Sequence, residues 1–157
     1  MTGKDTAYCK YFSNYFLPRL SICLCAVRFT DEGANMKYML LIYLDEKGGP
    51  SDAERQECYV ESAQYAHKLH ASGKFLASAP LHPTSTATSV RQQDGRPVVT
   101  DGPYAETREQ LGGYFLIDAK DLDEAIRIAS ELPAGRFGTV EIRPVVEVSG
   151  LPVAQAS

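Results

Sequence analysis

Two stretches of this sequence are apolar on both faces of an extended chain. From Met36 onward, Tyr38, Leu40, Ile42 and Leu44 alternate with Met39, Leu41 and Tyr43, so a strand here carries apolar side chains on each side. Gly112-Gly-Tyr-Phe-Leu-Ile-Asp118 repeats the pattern. A sheet built from such strands has to be covered on both faces, and a single layer of helices covers only one. The expected solution is a second copy of the same sheet, giving a homodimer packed sheet on sheet.

The remaining segments supply that single helical layer. Pro50-Ser51-Asp-Ala-Glu54 reads as a helix start, with Ser51 as N-cap and Glu54 as its capping-box partner. The helix should run to about Ser72 and stop at Gly73, with either Tyr59, Ala63, Ala66 and Leu69 or Cys58, Ser62, Tyr65 and Leu69 as its inner stripe. Phe75 to Ala79 is a second extended segment. Leu81 to Arg91 reads as a strand by its Thr, Ser and Val content, with Pro83 holding its start at an edge or bend. Asp94-Gly95 is the strongest hairpin signal, pairing Gln93 with Arg96, Arg91 with Val98 and Ser89 with Thr100. Alternation then points Arg91 away from Asp101. Asp121 and Glu124 cap a second helix with the stripe Leu122, Ala125, Ile126, Ala129 and Leu132, ending before Pro133. Gly138 to Val148 is the last strand, and the tail after Gly150 should be loose.

The order strand, helix, strand, hairpin, strand, helix, strand is an α+β plan, βαββαβ with an inserted β-hairpin and both helices on one face of an antiparallel sheet. With 157 residues, 44% hydrophobic and 23% charged, the chain suits one soluble globular domain. A net charge of −4 without a basic block argues against nucleic acid as the partner. No apolar run approaches the roughly 20 residues that span a bilayer. Three of the four cysteines (Cys9, Cys23, Cys25) precede Met36, leaving Cys58 alone afterwards, which is neither a disulfide framework nor a zinc pattern. Residues 1–35 show no sustained period, and their apolar run from Leu20 to Val27 is too short and too late for a secretion signal. They read as a poorly ordered extension, of the kind an over-long gene model adds. The domain is expected over residues 36–148, with a loose tail at 149–157.

The connector from Asp101 to Gln110 is turn chemistry set between two strands. Gly102 accepts positive φ, Pro103 presets φ, and the Asp101 carboxylate can bond nearby N–H groups. Around it, Met36-Lys-Tyr-Met-Leu-Leu-Ile-Tyr43, Leu81 to Arg91, Thr100-Asp-Gly-Pro-Tyr-Ala-Glu-Thr-Arg-Glu-Gln-Leu-Gly-Gly-Tyr-Phe-Leu-Ile-Asp118, Asp121-Leu-Asp-Glu-Ala125 and Val140-Glu-Ile-Arg-Pro-Val145 resemble the DGPF branch of YCII-related proteins. The resemblance implies a ferredoxin-like dimeric α/β barrel, cytoplasmic, in a family of unsettled activity often encoded beside extracytoplasmic-type sigma factors. Tyr104 stands where the naming motif has Phe. YCII relatives proper carry a helix His paired with an Asp, and one acts as a dehydrochlorinase on a chlorinated hydroxyquinone. Here that position falls near Ser62, and the role does not transfer to His67 or His70.

Within the motif-bearing segments, His82 and Asp101 are the candidate catalytic pair, a general acid/base tuned by a carboxylate. Arg91, whose planar fork fits carboxylates, joins Tyr104 and Glu106 as candidate substrate-binding residues. Blander roles stand beside these: a His before Pro is often an exposed loop residue, an Asp before Gly-Pro a turn-former, and Glu106 and Glu109 a solvated face. Glu141 and Arg143 share a strand face and read as an ion pair. No metal-ligand spacing, phosphate loop or nucleophile elbow is present, so the expected chemistry is cofactor-independent and metal-free proton transfer, as in an isomerase or lyase, on a small polar or aromatic molecule. The rival reading is a non-catalytic ligand-binding or regulatory module linked to a sigma factor.

Overall fold

The structure is a computed structural model that describes residues 35–151. The expected extension, up to residue 34, and the tail from residue 152 lie outside the described residues. The described chain up to Glu147 belongs to one compact unit; residues 148–151 belong to a second and form a turn at Gly150, φ 93°.

Four strands, β1 (Met36–Leu44), β2 (Phe75–Pro80), β5 (Gln110–Ala119) and β6 (Gly138–Pro144), form an antiparallel sheet in the order β2-β5-β1-β6. Helices α1 (Asp52–Ala71) and α2 (Leu122–Ser130) complete the ferredoxin-like α+β plan. β3 (Thr88–Gln93) and β4 (Arg96–Asp101) make a separate two-stranded ribbon. Its register is Gln93 to Arg96, Arg91 to Val98 and Ser89 to Thr100, as the two-residue loop requires. Asp94 (φ 50°) and Gly95 (φ 75°) both take the left-handed conformation that turns a hairpin in two residues.

The sheet's two faces differ as the alternation demands. Tyr38, Leu40, Ile42, Phe115, Ile117 and Ala119 are buried beneath the helices, with Leu40 and Ile117 fully enclosed. Each of Leu40 and Ile117 contributes about 1.5–3 kcal/mol by its burial. Met39, Leu41, Tyr43, Tyr114 and Leu116 point to the opposite face and are half-buried; neither helix lies on it. Arg143 Nε and Glu141 Oε1, also on β6, stand 3.8 Å apart.

Local chemistry sets the helix ends. The Ser51 side chain accepts from the Glu54 N–H while the Glu54 carboxylate accepts from the Ser51 N–H at 2.9 Å, a capping box of about 1 kcal/mol. Gly73 (φ 72°) ends α1. Of the two stripes open for α1, the one containing Cys58, Tyr65 and Leu69 is buried; Tyr59 on the other is 40% exposed. On α2 the buried line is Ala125, Ile128, Ala129 and then Leu132. The expected Leu122 and Ile126 are instead half-exposed, because a helix of nine residues presents one narrow arc to the sheet and Ile128 occupies its centre.

Two other boundaries depart from expectation. Residues 81–87 are not strand: Thr84–Thr86 form a 3-10 turn, with the Thr86 N–H on the Pro83 carbonyl at 2.9 Å, so β3 begins only at Thr88. β6 ends at Pro144, which has no N–H to continue a ladder, although the Val145 N–H still reaches the Lys37 carbonyl at 2.8 Å.

Candidate functional site

Between α1 and the helix-covered face of the sheet lies a cavity of about 290 Å³. It exists because neither wall fills it. On the sheet side β5 offers Gly112 and Gly113, which carry no side chains. On the helix side the first turns of α1 present Arg55, Cys58, Tyr59, Ser62 and Ala63, spaced i, i+3, i+4, i+7 and i+8 on one face and mostly small. Farther along, Tyr65 and Leu69 meet Phe75, Phe115 and Ile117 and the core closes. Ile42, Leu44, Phe115, Ala134 and Phe137 complete the apolar lining.

The two glycines have different surroundings. A Cβ on Gly113 would stand 2.9 Å from the Ala79 carbonyl oxygen and 3.2 Å from the Pro80 Cα, so β2 and β5 approach closely only with glycine there. Gly112 is the extra residue of a β-bulge: Ile42 pairs with Gly113 and Tyr43 with Leu111. Its carbonyl takes the Leu81 N–H at 2.8 Å, pinning the segment that leads into His82.

A second hollow of about 510 Å³ joins the first through Leu44, Arg55, Tyr59, Pro80 and Gly112, which line both. It is more polar, with Glu46, Asp52, His82 and Pro83 on its walls. Glu46 holds the His82 segment: its carboxylate accepts the Thr84 N–H at 2.9 Å and the Thr84 hydroxyl at 2.7 Å. Upstream, Asp45 Oδ1 accepts the Lys47 and Gly48 N–H groups, each at 2.9 Å. These bonds, the Gly48 one foremost, hold the Asp45 carboxyl below its usual range. Arg108 Nε lies 3.5 Å from Asp45 Oδ2 and ties the connector to the same loop.

The residues singled out from sequence occupy different places. His82 lines the polar hollow. Asp101 ends β4 opposite Thr88, with the adjacent Gly102 N–H on the Ala87 carbonyl at 2.8 Å, so its end of the ribbon adjoins the turn that follows His82. Arg91 pairs with Val98 on the other face of the ribbon and is exposed, as are Glu106 and Glu109 in the connector. Tyr104 is 86% exposed. It stands near Tyr43, whose phenol is pushed up by burial first and then by the Glu141 carboxylate, with Tyr104 adding to the effect. The side chains that share walls with His82 are Glu46, Asp52, Arg55 and Tyr59.

Arg55, Cys58 and Ser62 were not singled out as functional from sequence. The available signal was an Arg one turn ahead of Cys58 and Ser62, in line with the inner stripe of α1 and so placed to face inward. Cys58 is buried and its Sγ stands 3.9 Å from the Ser62 Oγ, which gives the cavity two polar atoms at its helix wall. Among the described residues no group of three His, Cys, Asp or Glu side chains is placed to hold a metal ion, and no helix is long and apolar enough to cross a membrane.

A sequence profile of the YCII-related domain matches residues 36–149. The chain is also 37% identical over 114 residues, 70% of its own length and 92% of the relative's, to an uncharacterised protein of Rhizobium meliloti (strain 1021). The profile match takes in every strand and helix that builds the cavity, and on that ground the chain belongs to the YCII-related domain family.

Proposed function

We propose that this protein binds a small polar or aromatic molecule in the cavity and its polar extension, and that His82 moves a proton on it without a cofactor, as an isomerase or lyase. The observation that carries the reading is the placement of His82 on a hollow continuous with an apolar cavity, where an imidazole meets one end of a bound molecule. In this reading Asp101, at the ribbon end beside the His82 turn, is the carboxylate partner of that imidazole. Arg91, Tyr104 and Glu106 contact whatever part of the ligand projects outward. The motif from Thr100 to Asp118 supports placing the chain in the DGPF branch, and with it a cytoplasmic homodimer joined through the sheet face opposite the helices.

A second reading is a ligand-sensing module that serves a protein such as an extracytoplasmic-type sigma factor. It is favoured by Val90 and Val99, paired on one face of the ribbon and 63% and 61% exposed.

Proton exchange separates the two. The full chain is incubated in D2O with a panel of small enolisable ketones and keto acids, and deuterium uptake is followed by NMR. Catalysis predicts exchange on at least one compound, lowered roughly a hundredfold or more by His82→Gln and about tenfold by Asp101→Asn. Binding without exchange supports the sensing module. Neither binding nor exchange across the panel would sink both.

A further inference from the structure

We infer that the cavity is specific for carboxylates, with Arg55 holding the anionic end of a small acid whose apolar body lies against Gly112 and Gly113. This rests on the cavity being a ligand site, and adds the chemical class of the ligand.

Among the described residues lining either hollow, Arg55 is the one Lys or Arg, and it lines both, so it stands at their junction. It is half-buried, and its guanidinium has five N–H donors to satisfy. Among the described residues its one hydrogen bond is from Nη2 to the Pro50 carbonyl, at 3.4 Å, and no carboxylate lies within 4 Å. The two acids on the same walls do not take it up. Glu46 is committed to Thr84, and Asp52 is exposed in the first turn of α1. A cation held against an apolar wall gains most from a partner that arrives with the ligand, because the pair is then shielded from water.

The fork geometry and the single charge select a carboxylate. Two parallel N–H donors match two carboxylate oxygens, whereas a phosphate dianion calls for more cationic or backbone donors than this junction offers. Size limits the rest. An apolar cavity of about 150 Å³ accommodates benzene. The inner cavity here, at about 290 Å³, therefore suits one substituted ring or a short branched chain. Its only polar wall atoms from α1 beyond Arg55 and Tyr59 are the Cys58 Sγ and Ser62 Oγ, enough for one hydrogen bond to a ring substituent.

The test is an 1H–15N NMR titration of the full chain with benzoate, phenylacetate and cyclohexanecarboxylate, and with neutral benzamide and benzyl alcohol. The acids should shift the amides of Cys58, Ser62, Gly112 and Gly113 and bind at least about tenfold more tightly than the neutral compounds. Arg55→Gln should raise the acids' Kd by roughly ten- to a hundredfold and leave the neutral compounds unchanged, while Arg55→Lys recovers part of the loss. The spectrum of each variant alone reports whether its fold is intact. Equal affinity for acids and amides, or an Arg55→Gln variant that binds acids as before, overturns the carboxylate inference and leaves the cavity standing as a ligand site. If neither class shifts the cavity amides, the inference and the ligand site fall together.

Discussion

Glu46 and Thr84, 38 residues apart, are joined twice: one carboxylate takes both the N–H and the hydroxyl of the threonine, at 2.9 and 2.7 Å. The pair locks the loop after β1 to the turn after β2, and His82 is two residues from the lock. Glu46→Ala removes two charge-assisted hydrogen bonds in a half-buried setting, a loss of about 1–3 kcal/mol. Because the turn lies outside the core, we expect the melting temperature to fall only modestly and the damage to concentrate at His82. Amide hydrogen exchange should accelerate across residues 81–87 and stay unchanged in β1 and β5. Unchanged exchange at those residues would show that Leu81 and its bond to the Gly112 carbonyl hold the segment unaided.

Gly112 and Gly113 are adjacent but should respond differently to alanine. At Gly113 the new methyl meets the backbone of β2, which cannot move without disturbing the β2–β5 ladder, so Gly113→Ala should cost about 1–3 kcal/mol despite alanine's lower entropy cost in a strand. At Gly112 the nearest atom is the Leu44 Cδ1 at 3.0 Å, the free end of a side chain. Gly112→Ala should therefore cost under about 1 kcal/mol while pushing Leu44 into the cavity it lines. Denaturant melts and the benzoate titration should separate the two: one variant loses stability, the other loses ligand volume. Equal destabilisation would place the constraint in the bulge itself.

Glu124 is a buried acid with every reason to stay ionised. The Lys120 N–H, at 2.9 Å, does most to hold its carboxyl below the ordinary value of 4.5, followed by Lys74; Arg127, 3.0 Å away, adds its charge. A carboxyl lowered by folding contributes stability that is present above the unfolded value and is lost as pH falls through the folded one. Glu124→Gln should destabilise by about 1–2 kcal/mol at pH 7. The larger penalty for a stranded charge does not apply, because Lys74 and Arg127 both retain access to water. As pH falls below 4.5 and on through the lowered folded value, the gap between the wild-type and variant melting curves should narrow and close. A constant gap down to pH 3 would mean that packing, and not the charge, accounts for the loss.

What the sequence made legible was what neighbours along the chain decide. The capping box at Ser51 and Glu54, the two-residue turn at Asp94 and Gly95, and the two-faced alternation from Tyr38 to Leu44 each follow from residues within a few positions of one another. Arg55 and Glu46 were not legible as site residues, because their roles depend on β5 and the His82 turn, brought in from far along the chain. The inner stripe of α1 stayed open for a related reason. Cys58 and Tyr59, Ser62 and Ala63, Tyr65 and Ala66 are near matches in polarity, and the sheet's shape chose between them. Thr84 to Thr86 looked like strand by composition and became a 3-10 turn once Glu46 engaged the N–H and hydroxyl of Thr84.

The sheet face opposite the helices gives the last prediction. Leu41 sits at its middle, flanked across the strands by Tyr114 on β5 and Glu141 on β6. If two copies stack through this face, as proposed, Leu41→Glu buries a charge without a partner in each subunit, at a cost of several kcal/mol per charge. On a face left to water the same change is nearly neutral, within about 0.5 kcal/mol. Sedimentation velocity should find the wild-type chain dimeric and Leu41→Glu monomeric, with the variant still binding benzoate because the cavity lies on the other side of the sheet. A monomeric wild type, or a variant that remains dimeric at the same concentration, would remove the stacked sheets and leave the half-buried tyrosines and leucines of this face in need of another cover.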